Sequence, residues 1–164
     1  MLNNITRLLD AKKIPYQVFT LPVEKLGAIE TARLLNVSAE LVYKTIVVVR
    51  PKPQKPILAV IPGDRQVDLK ALAQFLNEKK INLPTEKEAE SLTGLQAGGI
   101  SPLALINKGF QVLIDDHARD LAEIHVSGGQ RGLNIRLSVM DLARLTQAKF
   151  GGISQPLSAD EKFE

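Results

Sequence analysis

Apolar positions follow a helical rhythm in some stretches of the chain and a two-residue rhythm in others, and the two kinds predict different elements. Ile5, Leu8 and Leu9 fall on one face of a helix that Asn3 or Asn4 is placed to cap and that ends before Pro15. Tyr16–Thr20 alternates as a strand, and Ala28–Leu35 reads as a short helix, followed by a second that Ser38 caps. Lys44–Arg50 is rich in β-branched residues and predicts a buried strand. Pro51, Pro53 and Pro56 bound a loop, Ile57–Ile61 is the partnering strand, and Pro62-Gly63-Asp64 signals a turn.

In the second half, Val67-Asp68 opens an amphipathic helix with Leu69, Leu72, Ala73 and Leu76 on one side, and Thr85 with Glu88 has the form of a capping box for a helix to about Thr93. Gln111–Asp115, Glu123–Val126 and Leu133–Leu137 are three strands separated by glycine-containing loops, and Ser138 with Asp141 caps a last helix carrying Val139, Leu142 and Leu145. This irregular alternation favours an α+β fold on a mixed, mostly antiparallel sheet. No repeat or internal linker breaks the chain. One domain is expected over residues 1–153, with 154–164 as a loose tail.

The length of 164 residues suits a single domain that buries roughly 70% of its unfolded surface. With 45% hydrophobic and 24% charged residues, the chain has the composition of a globular protein. It has no cysteine, which excludes a disulfide scaffold, a cysteine nucleophile and a thiolate metal site. No apolar run approaches the roughly 20 residues that span a bilayer. Arg7 and Asp10 stand where a signal peptide would need an apolar core, so a soluble, cytosolic domain with no membrane partner is expected. The net charge of +3 is small. Its basic residues concentrate at Lys44, Arg50, Lys52, Lys55, Arg65 and Lys70, which reads either as a phosphate-contacting surface or as a solvated loop. With 4% aromatic residues and no Trp, base stacking is disfavoured, and any RNA contact falls on backbone and shape.

Candidate chemistry is sparse. His117, in the Asp115-Asp116-His117 stretch, reads as part of a solvated acidic turn, and His125 as a surface or partly buried packing residue; neither has metal-ligand spacing, and no metal is expected. Gly-x-Ser-x-Gly and the two glycine-rich nucleotide-binding signatures are missing. Three features remain. Lys44 begins an otherwise apolar strand in Val42-Tyr43-Lys44-Thr45, either as a snorkelling surface residue or as an ammonium held in a pocket, where low dielectric strengthens its pull on an anion. Gly98-Gly99-Ile100-Ser101-Pro102 is either a tight turn or a segment whose amides line a small pocket. Ser127-Gly128-Gly129-Gln130-Arg131-Gly132 holds more glycine than a hairpin requires, and Arg131 suits a phosphate or carboxylate.

Taken in order, these three segments closely resemble the YbaK/EbsC family of aminoacyl-tRNA editing domains, related to the inserted domain of bacterial prolyl-tRNA synthetases. Gly98 to Pro102 fits the superfamily's G-x-x-x-P loop. The resemblance runs from about Ile5 to Ile153 and includes Ala28-x-Glu30-x-Ala32, Val67-Asp68-Leu69-Lys70, Asp141-Leu142-Ala143 and Ala148-Lys149-Phe150. It implies a YbaK-like sheet or barrel core surrounded by helices, and a trans-acting deacylase that clears Cys-tRNA(Pro), and often Cys-tRNA(Cys), without a cofactor. A pocket built for proline discriminates weakly against smaller side chains, since a missing methylene is worth only about 1–3 kcal/mol, so a second, small site supplies the difference.

In this resemblance Lys44 is the signature functional residue, holding the terminal adenosine phosphate or ester region. Thr45, Leu21, Gly98, Gly99, Ile100, Ser101, Pro102, Ser127, Gly128, Gly129, Arg131 and Asn134 are the implied substrate-binding residues. The substrate's own thiol would attack its ester, the protein orienting the groups and stabilising charge. The implied partners are the aminoacylated acceptor end of tRNA and prolyl-tRNA synthetase. Two positions depart from the pattern. Asn134 stands where close relatives often carry an acid, and Leu21, in a shortened Thr20–Gly27 stretch, stands where the pocket wall is often aromatic. Two alternatives follow: an Ala-tRNA(Pro) deacylase that uses water, and a non-catalytic tRNA- or synthetase-binding module working through the basic Lys44–Lys70 region.

Overall fold

A computed structural model describes residues 3–52 and 54–158; Pro53 of the predicted proline loop and residues 159–164 of the expected tail lie outside the described residues. Helix α1 (Asn4–Ala11) begins at Asn3, whose side chain accepts from the Ile5 and Thr6 amides while Thr6 Oγ1 accepts from the Asn3 amide. The other helices are α2 (Ala28–Leu35), α3 (Leu69–Leu76), α4 (Glu86–Thr93) and α5 (Val139–Thr146). Asp68, Thr85 and Ser138 cap the last three through hydrogen bonds to backbone amides in the first turn. Ser38 starts only a single turn of 3₁₀ helix, Ala39–Leu41.

Among the described residues, nine strands form three sheets. β1 (Tyr16–Thr20), β7 (Leu133–Ser138) and β6 (Glu123–Ser127) make an antiparallel sheet in that order. β2 (Tyr43–Val48), β3 (Ile57–Pro62), β5 (Gln111–Asp115) and β8 (Lys149–Gly151) make a mixed sheet in which β3–β5 and β5–β8 run parallel. β4 (Arg65–Val67) and β9 (Ser154–Pro156) form a short antiparallel pair. The fold is thus α+β with four antiparallel ladders and two parallel ones; among the described residues the sheets do not close into a barrel.

β3 explains the layering. Every residue from Ile57 to Ile61 is fully buried, a continuous apolar run with no polar face. Leu58 and Val60 point into the main core, shared with Ile124, Val126, Ile135 and Leu137 of the three-stranded sheet and with Ile5 and Leu9 of α1. Ile57, Ala59 and Ile61 point the other way, onto Leu72 of α3, Leu113 and Ile153. Burial on both faces suits the parallel pairing to β5, and the chain crosses over through α3 and α4.

Part of the expected tail is ordered by its partners. β9 pairs with β4, and the Arg65 guanidinium donates to Ser154 Oγ at 2.7 Å and to the Ser154 carbonyl at 3.1 Å. β4, β8 and β9 carry only three residues each, too few to show a rhythm in sequence. Leu113 is fully buried between α3 and the sheet. Leu113→Ala is expected to lower unfolding free energy by about 2–5 kcal/mol in urea titration.

Candidate functional site

β2 is the outer strand of the mixed sheet, and only two isolated bridges among the described residues tie its free edge: Val42 to His125 and Val49 to Asn82. Along this edge lies a cleft of about 380 Å³ lined by residues of both larger sheets. One wall is the β2 edge, Lys44 to Val47. A second is the start of α2, where Gly27, Ala28 and Thr31 contribute. Gly27 caps α2 without a side-chain hydrogen bond, leaving the cap to backbone alone. The remaining walls are the start of α4, the loop ending at Ile100, and β6–β7 at Ser127, Leu133 and Asn134.

Seven of the sequence-predicted residues meet here: Leu21, Lys44, Thr45, Gly98, Ile100, Ser127 and Asn134 all line the cleft. Lys44 is half-buried and lines the cleft on the β2 wall. The other candidates lie behind this wall and hold it in place. Gly99 packs backbone to backbone on the second glycine loop: a Cβ there would sit 2.8 Å from Gln130 Cα and 3.0 Å from the Arg131 nitrogen. The Arg131 Nε donates to the Ala97 carbonyl at 2.7 Å, so this group ties the two loops together, and Arg131 lies outside the cleft lining. Ser101 is fully buried, and its hydroxyl accepts from the Leu103 amide at 3.2 Å, starting the 3₁₀ turn at Pro102. Gly128 packs on the Leu133 side chain, and its carbonyl accepts from Asn3 Nδ2 at 2.8 Å. Gly129, at φ +92°, lies over Ile5, and its amide donates to Ser127 Oγ at 3.2 Å.

Three residues of the basic stretch, Arg50, Lys55 and Arg65, are engaged within the chain. Arg50 donates to the Lys55 carbonyl at 2.7 Å and to Gln111 at 3.0 Å, Lys55 lies over the Phe110 ring, and Arg65 is engaged with Ser154. His117 stands as expected in an acidic turn, its Nδ1 lying 2.5 Å from Asp115 Oδ2. Asp115 itself is buried and accepts from the backbone amides of His117 and Ile153, which fastens the chain after β8 to the end of β5.

Two buried polar groups were not foreseen. Tyr43 is 2% exposed, and its hydroxyl has no hydrogen-bond partner among the described residues. Burial, followed by the nearby carboxylates of Asp115, Asp64 and Glu40, pushes its phenol well above the usual range, so it stays neutral. His125 is a correction to the surface reading. It is 2% exposed, and its Nδ1 lies 2.9 Å from Asn134 Oδ1, immediately behind the cleft wall. Its alternation with Ile124 and Val126 correctly puts it on the opposite face of β6, where the side chains of Phe19 from β1 and Asn134 from β7 pack against it. In both strands polar residues alternate with apolar ones, and that alternation, which puts His125 and Asn134 on one face as diagonal neighbours across the ladder, was the available signal.

Burial, partly offset by the Asn134 hydrogen bond, lowers the His125 pKa from its ordinary value. The unfolded chain therefore takes up the proton first, and native stability falls as pH drops from about 6.5 toward the lowered native value. Urea titrations across that window should show this slope in the wild type and a shallower one in His125→Gln. Gly99→Ala is expected to separate the two loops and destabilise the fold by about 1–3 kcal/mol, read by thermal melting.

Comparison with known proteins places this arrangement. The sequence profile of the aminoacyl-tRNA editing domain matches residues 24–145. EbsC of Enterococcus faecalis, described as a candidate Cys-tRNA(Pro)/Cys-tRNA(Cys) deacylase, is 33% identical over 153 residues, covering 92% of each chain. The proline–tRNA ligase of Streptococcus uberis is 29% identical over 102 residues, 62% of this chain and 16% of the ligase. A crystal structure of a candidate trans-editing enzyme for prolyl tRNA synthetase superposes with a TM-score of 0.78 at 22% identity, covering 94% of this chain and 99% of that one; at that identity the likeness concerns the fold.

Proposed function

The chain belongs to the aminoacyl-tRNA editing domain family, of the YbaK/EbsC kind, and on that premise we propose that it is a trans-acting deacylase clearing mischarged Cys-tRNA(Pro), and Cys-tRNA(Cys) as a second substrate. The observation that carries this reading is the convergence of Lys44, the Gly98–Ile100 segment and the open edge of β2 on one small cleft. In it, Lys44 and the first turn of α2 hold the anionic phosphate of the terminal adenosine or the ester oxygen. Backbone groups of Gly98 and Ile100 face the ester, and Leu21 and Ile46 limit the side chain admitted. The docking-module alternative is weakened by the basic stretch, whose Arg50 and Arg65 are engaged within the chain.

The chain has no cysteine, and neither histidine lines the cleft, so the proposed attacking group is the substrate's thiol. Its sulfur forms a bond to the ester carbonyl carbon, the carbon–oxygen bond to the ribose breaks, and the thiol proton passes to the departing ribose oxygen. A cyclic thioester leaves. The protein contributes orientation of the thiol over the carbonyl and stabilisation of the transient oxyanion. The proposed setting is the cytoplasm, with the acceptor end of tRNA as ligand and prolyl-tRNA synthetase as the enzyme whose errors are removed.

The test is amino-acid release from Cys-tRNA(Pro), Ala-tRNA(Pro) and S-methylated Cys-tRNA(Pro) in parallel. Release only from the free thiol is expected, and Lys44→Ala should slow it by at least about 100-fold while leaving the melting temperature within a few degrees. Equal rates on the methylated substrate would replace thiol attack by water, and preference for alanine would replace the substrate. Undiminished activity in Lys44→Ala would remove the assigned role of the lysine.

A further inference from the structure

Asn134 is 4% exposed and lines the cleft, while His125 directly behind it does not. The one hydrogen bond described for the Asn134 side chain uses its oxygen, facing His125 Nδ1 at 2.9 Å. The residue as a whole is 4% exposed and forms part of the cleft lining, so an NH2 group turned away from His125 has the cleft within its reach. Which of the two amide ends meets the imidazole depends on the imidazole tautomer, and so does the polarity that the wall presents to a ligand.

We propose that His125 is a positioning residue, carrying its single proton on Nδ1 and donating it to Asn134 Oδ1, so that the Asn134 NH2 is fixed toward the cleft and binds an oxygen acceptor of the aminoacyl ester in place of its ammonium. The inference rests on the deacylase reading for the identity of the ligand, and on geometry for the tautomer.

The surroundings of His125 favour this tautomer. Its cross-strand partner is Arg136, whose Nε is buried with no hydrogen-bond acceptor among the described residues, Glu123 Oε1 lying 3.7 Å away. Phe19 packs against the imidazole at 5.2 Å between ring centroids, with the Arg136 guanidinium over its ring at 5.8 Å. A second N–H on the imidazole, or one turned to the guanidinium, would add a donor where an acceptor is already lacking. A lone pair there is the stable choice, and burial together with the Arg136 charge keeps the ring neutral. The cleft itself argues against an ammonium at Asn134. The lysine wall repels one, and the lining carboxylates, Glu24 and Glu86, belong to other elements, Glu86 being paired with Lys25 at 2.9 Å.

The tautomer is read without ligand. In His117→Gln, which leaves one histidine, long-range proton–nitrogen NMR at pH 7.5 should show a neutral ring protonated at Nδ1. A ring protonated at Nε2, or a doubly protonated one, overturns the proposal. The recognition is read by calorimetry with a non-hydrolysable amide-linked cysteinyl-adenosine and its deaminated counterpart. The wild type should bind the two within about threefold, and Asn134→Asp should shift preference toward the amine form by about tenfold. His125→Leu should weaken both by about tenfold, and His125→Asn, which restores an N–H at the Nδ1 position, should recover most of the loss. A tenfold wild-type preference for the amine form overturns the acceptor assignment. If neither analogue binds the wild type, the deacylase reading and the acceptor assignment fail together, while the NMR result still decides the tautomer.

Discussion

The site is held together where two stretches of backbone meet with no side chain between them. Gly99 lies so near Gln130 and Arg131 that a single methyl group would meet three main-chain atoms within 3.0 Å. Backbone cannot yield as a side-chain tip does, so this contact fixes the distance between the loop after α4 and the loop between β6 and β7. Arg131 secures it from the other side through the Ala97 carbonyl, and the Ala97 amide in turn donates to Glu90 Oε2 at 2.7 Å. The cleft depends on this joint, because Gly98 and Ile100 precede and follow it on one side and Ser127 and Asn134 stand on the other.

Given that joint, the cleft owes its chemistry to an unfinished sheet. Strand edges inside proteins are usually paired or covered, and β2 leaves one open between two single bridges. Lys44 stands on that open edge, opposite a wall whose polar residue, Asn134, is neutral and braced by a neutral histidine. The lining carboxylates Glu24 and Glu86 stand on other elements, Glu86 paired with Lys25, while the Lys44 wall, with two glycine-opened main-chain segments and an uncharged amide opposite, is suited to holding an oxygen-rich group still. It is not suited to supplying a strong nucleophile, which is consistent with chemistry carried by the substrate.

The elements that were legible in the sequence are those with local causes. Asn3, Asp68, Thr85 and Ser138 each cap the helix that the apolar rhythm predicts, because a cap and its target amides lie within three residues. β3 was legible as an apolar run, β1 from its alternation, and β5, β6 and β7 as strands separated by glycine-containing loops. The three glycine- and lysine-bearing segments of the site were also legible as motifs. Local pattern could not say which of their residues would face a ligand. Lys44, Ser127 and Asn134 line the cleft, whereas Gly99, Ser101, Gly129 and Arg131 build the frame behind it.

By itself, then, the sequence determined the helices, the longer strands, their α+β class and the segments that make the site, since each is written in contacts a few residues apart. Tertiary structure alone decided the parallel pairing of β3, β5 and β8, the three short strands, the order imposed on Ser154–Pro156, and the burial of His125 against Asn134. The physical reason is the same in each case. A strand has two faces and two edges, its own residues describe only one of those faces, and what covers the rest arrives from elsewhere in the chain.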